Sequence, residues 1–115
     1  MFINRSGEVD PAYKAIADHL PASVARGFLA SELDINQDNE KQYAASSTAL
    51  LKMIKQLFDA GVRIVAGTDA IAGYTLHREL ELYSLAGIPN HDVLKIGTVN
   101  AARIAGQKDV GTIEV

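Results

Sequence analysis

Apolar positions along this chain recur with different periods, and the clearest pattern runs from Ser46 to Ala60. Leu50, Ile54 and Leu57 fall at i, i+4 and i+7 with Leu51 and Phe58 beside them, which is one apolar face of a helix. Gly61, just past the last periodic residue, predicts a left-handed cap that ends this helix. Val62 to Ala66 is then a short apolar run of the kind a fully buried parallel strand shows, leading through Gly67 and Thr68 to Asp69. Small residues from Ala70 to Gly73 read as a loop. A second helix is expected from about Thr75 to Ala86, with Leu76, Leu80 and Tyr83 on its buried side and Gly87 as its stop. Pro89 restarts the chain, Asn90 reads as the N-cap of a helix from His91 to about Val99, and Asn100 as the cap of a last turn ending near Gly106.

Before Ser46 the pattern is weaker. Pro11–Ala17 and Ala22–Leu29 are short helical patterns, and Asp10 before Pro11 suits an N-cap followed by proline in the first turn. Glu32 to Lys41 is polar, with Asn36, Asp38 and Asn39 as turn formers, and reads as an exposed loop. Two regions follow: 1–45, a variable helical and loop region, and 46–115, a helix-strand-helix series. The implied class is α/β, helix-rich with few parallel strands. One buried parallel strand needs neighbours on both edges to satisfy its backbone, so missing strands must come from other chains or from the rest of a larger enzyme.

Bulk properties narrow the function classes. With 115 residues, 48% hydrophobic and 22% charged, the chain is long enough for one domain with a core. A net charge of -3 gives no basic field for phosphate neutralisation, so no nucleic-acid partner is expected. No apolar run approaches the roughly 20 residues of a membrane span, and the opening Met1-Phe2-Ile3-Asn4-Arg5-Ser6 turns polar too soon for a signal sequence. A cytoplasmic protein with no membrane partner is the expectation. Without cysteine, any metal must use nitrogen and oxygen ligands.

Asp69 is the first candidate for chemistry. A carboxylate at a strand end can ligate a divalent metal or act as a general base, and the hydroxyl of Thr68 can orient it. The alternative is a turn or cap aspartate, and spacing alone leaves both open. His77 and Glu81 share a helix face, either as metal-binding groups or as part of a solvated charged face on which Arg78 pairs with Glu81. His19 and His91 are isolated. The chain has no Gly-rich phosphate cradle, no nucleophile elbow around Ser6, Ser46 or Ser47, and no H-E-x-x-H pair.

The runs Asp59-Ala60-Gly61-Val62-Arg63-Ile64-Val65-Ala66-Gly67-Thr68-Asp69-Ala70, Leu76-His77-Arg78-Glu79-Leu80-Glu81-Leu82, Ala86-Gly87-Ile88-Pro89, Thr98-Val99-Asn100-Ala101-Ala102-Arg103 and Gly111-Thr112-Ile113-Glu114-Val115 occur in an order that resembles the C-terminal part of metal-dependent amidohydrolases. The resemblance is to the imidazolonepropionase-like and Xaa-Pro dipeptidase-like branch, from about Ser46 onward. It implies a partial (β/α)8 TIM barrel whose last strand is Val62 to Ala66, so that 46–115 holds the last helix-strand-helix units. It also implies a divalent metal, expected to be zinc, with Asp69 as ligand and proton shuttle between the attacking water and the leaving nitrogen. Thr68 and His77 would stand beside the site or touch substrate, with no role fixed for His77. The H-x-H pair, the mid-barrel lysine or acid and the two further histidines of that family have no counterpart here, and relatives continue beyond the position of Val115. The expected activity is hydrolysis of an amide, cyclic amide or dipeptide C–N bond by a larger site to which this chain brings Asp69, the isolated chain being inactive. Expected partners are the small-molecule substrate and either further copies of the chain or the remainder of the barrel. The competing expectations are a non-catalytic assembly module that needs a partner or self-association, and a stand-alone, mostly helical binding domain.

Overall fold

Three helix ends organise the better-packed half of the chain, and each is closed by a glycine in the left-handed region. In the computed structural model, which describes residues 7–11, 13–27, 29, 33, 35–69 and 73–114, the helices are α1 (Lys14–Ala17), α2 (Ala22–Gly27), α3 (Glu40–Asp59), α4 (Tyr74–Leu85), α5 (Asn90–Gly97) and α6 (Val99–Ile104). The chain divides into two units, Met1–Leu50 and Leu51–Val115, with the division falling inside α3.

Helix covers 57% of the described residues and none of them lies in a strand, so the expected α/β class and partial (β/α)8 TIM barrel are corrected to an all-helical fold. The reason lies in what surrounds 62–68. A strand is defined by a ladder to a neighbouring strand, and here the hydrogen-bonding partners of 64–66 are helical. The Ala66 amide donates to the Ile96 carbonyl at 3.4 Å, and the Asn100 side chain donates to the Ile64 carbonyl at 3.1 Å. Nor is the run buried throughout: Val62 and Val65 are 50% and 37% exposed, while Ile64 and Ala66 face inward.

In the unit Leu51–Val115, Tyr83, Ile88, Val93 and Ile96 form the core, and Ile54, Phe58, Ile64, Ala66 and Leu80 pack against it. These come from α3, the 62–68 segment, α4, the α4–α5 connection that carries Ile88, and α5; α4 packs on α5 and α5 on α6. Gly61 (φ 77°) closes α3, with its own amide reaching the Phe58 carbonyl at 2.9 Å and that of Val62 reaching the Leu57 carbonyl at 3.0 Å. This is the paired-bond glycine cap, and it fixes where the chain leaves the helix toward Ile64. The expected apolar face of α3 is split: Ile54 and Phe58 reach the core, whereas Leu50 and Leu57 stay exposed.

In the unit Met1–Leu50 the buried side chain among the described residues is Ser47. Helix α1 starts at Lys14 rather than at Pro11, because Asp10 to Tyr13 forms a turn closed by the Tyr13 amide on the Asp10 carbonyl at 2.8 Å. The polar stretch after it does turn, with Asn36 and Asn39 accepting each other's amides through their side-chain oxygens at 3.2 Å and 2.8 Å. Those bonds start α3 at Glu40, so the helix begins before Ser46. Asn90 is a helical residue of α5, with Pro89 in the cap position, and its side chain accepts from Ser84 at 3.0 Å.

Candidate functional site

Helix α3 ends at its glycine cap, and the chain then crosses the core with Ile64 and Ala66 inward before surfacing at Gly67, Thr68 and Asp69. The segment is held from both helical neighbours. Ile96, in the last turn of α5, accepts the Ala66 amide, and Asn100, in the first turn of α6, donates to Ile64. From α4 the Tyr83 hydroxyl lies 2.5 Å from Glu79 Oε1 and 3.5 Å from the Val65 carbonyl. Its single proton goes to the nearer, charged acceptor. Burial pushes the Tyr83 pKa well above its ordinary value, with the hydrogen bond to Glu79 and that residue's negative charge acting in the same direction.

Asp69 is exposed at the end of this segment. Thr68 Oγ1 and Thr75 Oγ1 are 2.8 Å apart, which closes the neck of the connection between Asp69 and α4. His77, exposed on α4, hydrogen-bonds through Nδ1 to the Gly73 carbonyl. A carbonyl can only accept, so Nδ1 is the donor in this contact. Beside His77 a groove of about 340 Å³ opens between α4 and α5, lined by Leu80, Glu81, Ser84, Val93 and Leu94. Arg78 pairs with Glu81 at 2.9 Å, the contact expected from their spacing. The loop residues Ala70, Ile71 and Ala72 lie outside the described residues.

Asp69, Thr68 and His77 thus belong to one loop and the helix start that follows it. His19 lies in the other unit, and His91, exposed, sits 3.1 Å from Asp92. Among the described residues no group of three or more His, Asp or Glu side chains is placed to hold a metal. A zinc ion in a catalytic site takes three protein ligands. Asp69 and His77 Nε2 supply at most two, so the described residues do not by themselves fit the metal that the sequence resemblance implies.

Sequence reasoning did not find the groups that hold the segment. Asn100 reads from sequence as a helix cap, yet it lies inside α6 and crosses to a carbonyl 36 positions away. Tyr83 was expected to be buried, which it is, but its hydroxyl contacts carry no sequence signal beyond the i,i+4 spacing to Glu79.

A scan against protein-family models and searches of curated proteins and of solved structures each found no match. Among the described residues, no helix is long and apolar enough to cross a membrane.

Proposed function

We propose that this chain contributes Asp69 to a metal-dependent amidohydrolase site whose remaining ligands lie outside its described residues. The observation that carries the reading is the exposed carboxylate of Asp69 at the end of a segment anchored along one edge by α5 and α6. The ordered sequence resemblance from about Ser46 onward also supports it. In this reading the substrate is a small amide, cyclic amide or dipeptide, the class the sequence resemblance implies. Asp69 accepts the proton of the attacking water and returns it to the leaving nitrogen. A divalent metal, zinc being the one the resemblance implies, would be held by Asp69 together with groups outside the described residues and would supply Lewis-acid chemistry there. The isolated chain is inactive in this proposal, and further copies or another polypeptide complete the site.

The test is hydrolysis of small amides and dipeptides by the protein recovered with its natural partners, comparing wild type with Asp69→Asn. Loss of a proton-transferring group is expected to lower kcat by about 100-fold or more. An Asp69→Asn assembly that hydrolyses as fast as wild type would sink the proposal.

A second reading is favoured by a specific observation. In Leu51–Val115 the large apolar side chains Leu57, Val62, Leu85, Leu94 and Ile104 are 41%, 50%, 66%, 62% and 57% exposed, and a non-catalytic module that associates through these positions is the alternative proposal.

A further inference from the structure

The carbonyl of Ile64 and the amide of Ala66 are two positions apart, so in an extended chain they point to the same edge. In a sheet that edge would meet a neighbouring strand. Here it meets the junction of α5 and α6: the Ile96 carbonyl takes the Ala66 amide at 3.4 Å, and Asn100 Nδ2 reaches the Ile64 carbonyl at 3.1 Å. The junction is shaped for this approach. Thr98 alone separates the two helices, with φ -126° and ψ -91°, and a Cβ at Gly97, the last residue of α5, would come within 3.2 Å of Leu80. The Tyr83 hydroxyl reaches the next carbonyl, that of Val65, only at 3.5 Å and is committed to Glu79. The bond from Asn100 is therefore the shorter of the two that fix this edge.

We infer that Asn100 is a positioning residue: it sets the register of the 62–68 segment and thereby the place at which Asp69 emerges. This rests on the reading of Asp69 as the working carboxylate, although the clamp itself is independent of it. An Asp at position 100 has the same shape but, ionised, only accepts, so it removes the donor while leaving the volume. Asn100 is half-buried, and its amide serves a backbone carbonyl with no ladder partner, so the bond is expected to hold the segment rather than decorate it.

Amide hydrogen exchange of the full chain, followed residue by residue, separates the possibilities. Asn100→Asp and Asn100→Ala should both speed exchange at Ala66 by about fivefold, the worth of one ordinary hydrogen bond, while amides in the middle of α4 exchange as in wild type. Asn100→Asp exchanging like wild type at Ala66 overturns the inference, as does a uniform rise across α4, which would mean general loosening. In the assembled enzyme Asn100→Asp should lower kcat with KM unchanged. Faster exchange at Ala66 with an unchanged kcat, in an enzyme that Asp69→Asn does inactivate, also overturns the positioning role. If Asp69→Asn is without effect, the failure belongs to the functional reading, and exchange at Ala66 still decides the clamp.

Discussion

Tyr83 shows how one buried polar group ties several residues together. It is 5% exposed, packs in the core with Ile88, Val93 and Ile96, and keeps its hydroxyl satisfied on Glu79. Its pKa is raised in the folded chain, so above the ordinary value of 10.0 the folded state binds more protons than the unfolded one and stability falls as pH rises. The contribution is full below pH 10.0 and is lost as the pH climbs toward the folded-state pKa. Tyr83→Phe should therefore cost about 1 kcal/mol at neutral pH through the lost hydrogen bond and flatten the alkaline decline. Urea unfolding at pH 7 and pH 10.5 checks this, and an equally steep decline in the Phe variant would contradict it. At this scale the sequence is informative where contacts are local. The Arg78–Glu81 pair follows from a spacing of three, whereas the bond from Asn100 to Ile64 joins distant positions and depends on how α5 and α6 fold back. Asp69 as an exposed residue beside Thr68 is readable from the sequence.

Among the elements, the helices and their stops are the part most readily read. Periodicity locates α3 and α4, the restart at Pro89 and Asn90 locates α5, and Gly61 and Gly87 mark the ends of α3 and α4 because only a residue without a side chain takes φ of 77° and 93° at little cost. Gly61→Ala should destabilise the fold by about 1 kcal/mol, read as a lower urea midpoint with unchanged slope. A Cβ at Gly61 meets nothing within 4 Å, so the cost is conformational alone. The expected strand shows the opposite case. A short apolar run satisfies strand and non-strand alike, and the difference is made by its neighbours: Val62 to Ala66 meets helix ends, so it carries inward and outward residues without a ladder. Likewise α3 begins at Glu40 because the Asn36–Asn39 side-chain bonds cap a helix ahead of the apolar period.

For the molecule as a whole, the core is small and its apolar surface is large. Four hydrophobic residues are buried among those described, all in the unit Leu51–Val115, while thirteen large hydrophobics are exposed. Both proposed readings, a shared catalytic site and an association module, need a partner for that surface. Light scattering of the purified chain should accordingly show mass rising with concentration, and Leu94→Glu, which charges an exposed position of α5, should shift it toward monomer without lowering helix content. A strict monomer at high concentration would remove the association reading. The choice between a catalytic and a non-catalytic assembly rests on Asp69 alone. The most direct measurement is the zinc content per chain of the protein recovered with its natural partners, for wild type and Asp69→Asn, by elemental analysis. The expected result is stoichiometric zinc in the wild-type assembly and a clear loss in the variant. Equal zinc in both, or none in an assembly that hydrolyses amides, would contradict the assignment of Asp69 as a metal ligand.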